Sequence, residues 1–181
     1  MKKKNIIIIA FVTVCLLMVP LVAMQFTAEV DWSVFDFILM GTLIFGTGVV
    51  YEWISSRGNN KSYRIAVSIA VFTVFLLTWV NMAVGIIGSD KNDANLMYFS
   101  LIPIGLAGAL IVKFQANGMA VVAFVLAGIQ MLIPITAFII NKPDFDPGVA
   151  AVFAINAVFS VLFIGSGLLF KRSSLVKAQT E

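Results

Sequence analysis

The chain has no histidine, one cysteine and little charge: Asp, Glu, Lys and Arg make up 12% of its 181 residues. Each shortage excludes a chemistry. Without histidine a single chain has no His-ligated haem, no Ser-His-Asp triad and no Cys-His pair, and one cysteine cannot complete a four-ligand zinc site. Cys15 has no partner for an internal disulfide. Lying in an apolar run, it reads as a small core or lipid-facing residue rather than a reactive thiol. A net charge of +3, from twelve cations against nine acids, is too small a footprint for a nucleic-acid binder. No cofactor, no metal and no nucleic acid are expected.

Apolar residues are in excess. They make up 61% of the chain, and the mean hydropathy is +1.04. A soluble domain is about half apolar and about a quarter charged. Folded in water, this composition would expose far too much apolar surface, and it is equally far from that of a disordered chain. An integral membrane protein remains.

A helix crossing a bilayer needs about 20 apolar residues. Six stretches qualify, over residues 5–26, 34–54, 65–87, 96–112, 119–140 and 149–170. The fourth is the shortest. The intervening segments are short and rich in turn and charged residues, so neighbouring spans form antiparallel hairpins and no segment is left for a soluble domain. The expectation is an all-α bundle of six transmembrane helices, one transmembrane domain over 1–181. The first span begins Lys2-Lys3-Lys4, as a signal peptide would, but its apolar run is too long for one and it lacks a small-x-small cleavage site, so it reads as a retained anchor.

Six spans place both termini on one side. That side carries Lys2, Lys3, Lys4, Arg57, Lys61, Arg64, Lys113, Lys171, Arg172 and Lys177, against Lys91 and Lys142 on the other. Positive charge accumulates in cytoplasmic loops, so both termini are expected in the cytoplasm. The acids mirror this, with the pairs Glu29/Asp31, Asp90/Asp93 and Asp144/Asp146 in the outer loops. The pairs fit either simple topology or a cation-attracting mouth.

Polar and small residues within the spans carry the remaining information, because polar groups in lipid need partners. At 100° per residue, Gly41, Phe45, Gly48 and Glu52 share a face of span two. Ala70, Val74, Thr78, Asn81, Gly85 and Gly88 line up in span three. Gly105, Gly108 and Ala109 form a patch in span four. Ala123, Ala127, Gln130, Pro134 and Ala137 align in span five, and Asn156, Ser160, Phe163 and Gly167 in span six. The glycines are expected to let helices pack closely, with spans two to six central and span one peripheral. Asp36, Asn81, Gln130 and Asn156 lie at depths that would let them gather in the outer half of the bundle. They read either as interhelical hydrogen bonds or as a polar cavity for an ion or small solute. Glu52 lies near the inner surface, where Arg57 or Arg64 would pair with it.

The run Asn81-Met82-Ala83-Val84-Gly85-Ile86-Ile87-Gly88, followed by Asn92, Asn95 and Met97-Tyr98, resembles a group of small bacterial multi-pass proteins of no assigned activity. Asp36-Phe37, Gly46-Thr47-Gly48 and Tyr51-Glu52 extend the resemblance over spans two to five. It implies a bacterial inner membrane and nothing about a substrate. The expected function is that of a non-catalytic structural or accessory bundle, the alternative being a small channel or carrier. Expected partners are the lipid bilayer, further copies of the chain or other membrane proteins.

Overall fold

The computed structural model describes residues 3–58, 60–141 and 148–178. Lys2, Lys142, the Asp144/Asp146 pair and Glu181 lie outside the described residues, as does the side chain of Lys177. The elements are α1 (Lys3–Ala23), α2 (Val34–Ser55), α3 (Lys61–Ala83), a 3-10 helix (Asp93–Ser100) running into α4 (Leu101–Ile111), α5 (Ala116–Asn141) and α6 (Val149–Ala178). Among the described residues six stretches are long and apolar enough to cross a membrane, with the 3-10 helix and α4 counted as one.

The chain separates into two compact units, Met1–Ser56 and Arg57–Glu181. In the first, α1 packs on α2. An ideal Cβ at Gly48 would fall 2.6 Å from Ile9 Cγ2, and one at Gly41 would fall 3.2 Å from Leu17 Cδ1. The Asn5 side-chain amide donates to Glu52 Oε1, continuing the same antiparallel register. The glycine face of α2 therefore serves α1, and α2 groups with α1 rather than with α3 to α6. Sequence periodicity marks a face as close-packing but not which helix fills it.

Four threonine hydroxyls are satisfied within their own helices. Thr13, Thr42, Thr47 and Thr73 each donate to the carbonyl four residues earlier, which makes them tolerable in an apolar helix.

In the second unit α6 packs on both α3 and α5. The stripe Ala123, Ala127, Gln130, Pro134 and Ala137 of α5 is buried. Gly105 and Gly108 bring α4 onto α5, where added Cβ atoms would meet Leu126 at 3.4 Å and Val122 at 3.0 Å. Gly167 of α6 does the same against Phe124, at 2.7 Å. Buried serines of α6 tie it laterally: Ser160 Oγ donates to the Ala127 carbonyl at 3.0 Å and Ser166 Oγ to the Ala66 carbonyl at 2.8 Å.

The short fourth span is lengthened by its 3-10 segment. Seventeen α-helical residues would rise about 25 Å, short of a hydrocarbon core of about 30 Å. Eight 3-10 residues followed by eleven α residues rise about 32 Å, because each 3-10 residue advances about 2.0 Å. The segment also eclipses residues three apart. Asn95, Tyr98 and Leu101 therefore form one column, and all three are buried.

Gly85 and Gly88 are not packing positions within a helix. α3 ends at Ala83, and these glycines have φ of +72° and +68°, the left-handed backbone that glycine adopts without a Cβ penalty. At Gly85 an added Cβ would also fall 2.6 Å from the Ser89 carbonyl oxygen and 2.8 Å from Asn95 Nδ2. Gly165 of α6 has nothing within 4 Å. Gly85→Ala is therefore expected to destabilise the protein by about 2 kcal/mol or more, whereas Gly165→Ala is neutral or stabilising by up to about 1 kcal/mol. Thermal unfolding in detergent checks the pair. Equal effects would contradict this account of the turn.

Candidate functional site

The polar centre of the second unit is built on Asn156 of α6, which is fully buried. Its Oδ1 accepts two hydrogen bonds, from Tyr98 Oη at 2.9 Å and from Gln130 Nε2 at 2.9 Å. Its Nδ2 donates to the Val152 carbonyl at 2.8 Å, which fixes the amide's orientation on its own helix. One carbonyl oxygen thus joins α6 to α5 and to the 3-10 helix. Leu126, Ile133, Val152 and Phe159 belong to the apolar cluster around these residues.

Gln130 is half satisfied. Its Nε2 is used, but Oε1 is buried without a hydrogen-bond partner. Pro134 lies four residues on and has no N–H to offer the Gln130 backbone carbonyl. Residue 130 therefore carries an orphan side-chain acceptor beside a carbonyl deprived of its usual helical donor.

A second polar centre lies in the turn after α3. The Asn95 side chain uses its full capacity of two acceptor and two donor bonds. Oδ1 accepts from the Ile86 and Ile87 amides at 3.1 and 2.9 Å, and Nδ2 donates to the Ile87 and Ser89 carbonyls at 3.1 and 2.8 Å. The Asn95 carbonyl accepts from Asn81 Nδ2 at 3.0 Å, and Asn81 Oδ1 is buried without a partner. Asn92 caps the 3-10 helix through the Ala94 amide. This turn is a closed backbone structure built around one asparagine.

The four outer-half candidates do not share one set of bonds. Gln130 and Asn156 are joined directly. Asn81 donates to the Asn95 carbonyl. Asp36 belongs to the first unit, where it closes a capping box: its Oδ2 accepts from the Ser33 amide at 2.8 Å and the Ser33 hydroxyl at 2.7 Å, and Ser33 Oγ accepts from the Asp36 amide. Glu52, expected to meet Arg57 or Arg64, accepts from Asn5. The sequence carried the Asp36 signal in Ser33-x-x-Asp36, a capping spacing with a shorter acid in place of the usual Glu or Gln. In the sequence Tyr98 and Asn95 stand out only among the residues that carry the resemblance. Their spacing of three is their structural signature, and it takes effect only once the segment is a 3-10 helix.

Among the described residues no three His, Cys, Asp or Glu side chains come together as a metal-binding group. Comparisons with protein-family models, with curated proteins and with solved structures returned no match.

The arrangement makes Asn156 the most costly residue to lose. Asn156→Leu leaves the Tyr98 hydroxyl and the Gln130 amide buried without their acceptor and is expected to cost about 2–4 kcal/mol. Tyr98→Phe removes one donor and leaves Oδ1 served by Gln130, costing about 1 kcal/mol. Denaturant unfolding in detergent, followed by tryptophan fluorescence, ranks the two. A cost for Asn156→Leu no larger than that for Tyr98→Phe would remove Asn156 from the centre of the network.

Proposed function

We propose that the chain is a multi-pass protein of a bacterial inner membrane, with both termini in the cytoplasm, and that it acts there as a non-catalytic structural or accessory bundle. The observation that carries this reading is how the buried amides are used. Gln130 Nε2 and Tyr98 Oη converge on Asn156 Oδ1, and Asn95 spends every polar atom on its own turn. Groups committed to each other hold helices together and offer little to a passing solute. Asp36, the carboxylate that a cation path would use, is engaged at the start of α2.

The six apolar stretches and the wide exposure of large apolar side chains support the membrane setting. The ten-to-two division of Lys and Arg supports the orientation. The resemblance carried by Asn81–Gly88 supports the bacterial setting.

One observation favours a second reading, a small channel or carrier. Gln130 Oε1 and Asn81 Oδ1 are buried acceptors without donors, and such atoms bind water or a donor-bearing solute. Reconstitution in liposomes separates the two. The structural reading predicts that monovalent-cation and small-neutral-solute flux equals that of protein-free liposomes. Flux above that level, abolished by Gln130→Leu in a variant that still inserts and folds, would establish the second reading instead.

A further inference from the structure

The end of the second unit at which α3 begins is held together by a set of bonds distinct from the amide centre. Asn60 Nδ2 donates to the Ser173 carbonyl at 3.1 Å, and Ser173 Oγ donates back to Asn60 Oδ1 at 2.9 Å. The same Oδ1 caps α3 through the Tyr63 amide. Tyr63 is buried, packs edge-on against Phe170 and donates its hydroxyl to the Phe114 carbonyl at 2.9 Å. The Arg57 guanidinium lies 5.3 Å from the centre of the Phe114 ring. These contacts bring the first turn of α3, the turn between α4 and α5 and the last turns of α6 to one rim.

The rim is cationic. Lys61 and Arg64 come from α3, Lys113 from the α4–α5 turn, and Lys171 and Arg172 from α6, and all five are exposed, as is Arg57. Among the described residues of this unit the acids are Asp90 and Asp93, and both lie beyond the far end of α3. α3 and α5 start at this end while α4 and α6 finish at it, so the helix dipoles largely offset one another and the positive field comes from the Lys and Arg side chains.

Topology alone asks only for cations in this loop. Lys113 is the one such residue in the segment 113–118, and topology does not ask for it in the left-handed position. The α4 C-terminus closes as a Schellman motif, with the Phe114 amide bonded to the Ala109 carbonyl and the Lys113 amide to the Leu110 carbonyl, both at 3.0 Å. That motif places Lys113 at the position glycine usually takes, with φ of +52°, and Phe114 follows at +59°. Glycine would close this helix without strain. A lysine held in a left-handed backbone, its turn pinned by Tyr63, stands where the backbone alone would favour glycine.

We propose that this rim binds the phosphate of an anionic lipid headgroup, with Lys113 as a specific ligand among the surrounding Lys and Arg side chains. Phosphate chemistry fits clustered Lys and Arg side chains. A lipid rather than a free ion fits the neighbouring surface: Ile65, Ile111 and Leu175 adjoin the rim and are 51%, 79% and 61% exposed, ready to meet acyl chains. The inference rests on the membrane reading.

The test counts lipids retained by the full-length protein in native mass spectrometry, with phosphatidylglycerol, phosphatidylcholine of the same chain length and inorganic phosphate as ligands. Phosphatidylglycerol is expected to be retained in preference to phosphatidylcholine and to be displaced poorly by phosphate. Lys113→Gly is expected to raise the thermal midpoint by about 2–4 °C while weakening phosphatidylglycerol about five-fold. Lys171→Gln/Arg172→Gln is expected to weaken it about twenty-five-fold, and Arg172→Lys to leave it unchanged.

An unchanged affinity in Lys113→Gly, or no preference for the anionic lipid, overturns the proposal. Inorganic phosphate that binds as tightly as the lipid overturns the lipid assignment in favour of a free anion. Incorporation into phosphatidylcholine nanodiscs is scored separately. A chain that enters the discs yet shows no anionic preference fails this inference alone, and a chain that does not enter them fails the membrane reading as well.

Discussion

The second unit depends on one requirement: a polar atom buried among apolar helices has to find its partner within the protein. Asn156 meets it with a single oxygen that takes two donors from two other elements. Such bonds are individually modest in an apolar bundle, about 0.6 kcal/mol on average and seldom above about 1.7 kcal/mol. Breaking them costs more than making them gains, because a stranded donor has nowhere else to go. Ser160 and Ser166 add the same kind of tie along α6, one to α5 and one to α3. α6 is thus fixed in rotation and register by a few polar atoms, and glycine-to-aromatic contacts such as Gly167 on Phe124 fill the space between them.

The 3-10 helix follows from the same requirement. Its period of three places Asn95 and Tyr98 on one buried face, so one short segment serves both polar centres. In an α-helix residues three apart diverge by about 60°, and the two side chains could not both meet their partners squarely. The extra rise of the segment also lets a short apolar run reach the length of its neighbours. Local geometry, span length and hydrogen bonding therefore agree on a conformation that runs of ordinary sequence seldom sustain.

Much of this was legible in the sequence where helical periodicity governs. The α5 stripe from Ala123 to Ala137 and the α6 residues Asn156 and Ser160 are read off at 100° per residue, and they are buried. Gly105 and Gly108 lie against α5 as small-residue patches do. Periodicity says less where the backbone changes. It extended span three through Gly85 and Gly88, although these residues turn the chain back in left-handed conformations. It placed Asp36 among the buried amides by depth, although its carboxylate is used up locally by Ser33. It assigned the α2 glycines to the central bundle, whereas Ile9 and Leu17 of α1 fill them. Lys113 was legible only as a charge on one side. Its left-handed backbone, and hence its significance, is visible only in the turn itself.

The most direct test of the central claim is a double-mutant cycle on Gln130→Leu and Asn156→Leu, with unfolding free energies measured in one detergent. Coupling through Asn156 Oδ1 predicts that the double variant is less destabilised than the sum of the single variants by about 0.6–1.7 kcal/mol, because Gln130→Leu removes a donor that Asn156→Leu would strand. Additive effects would show that the two amides act independently and that Asn156 Oδ1 does not couple α6 to α5.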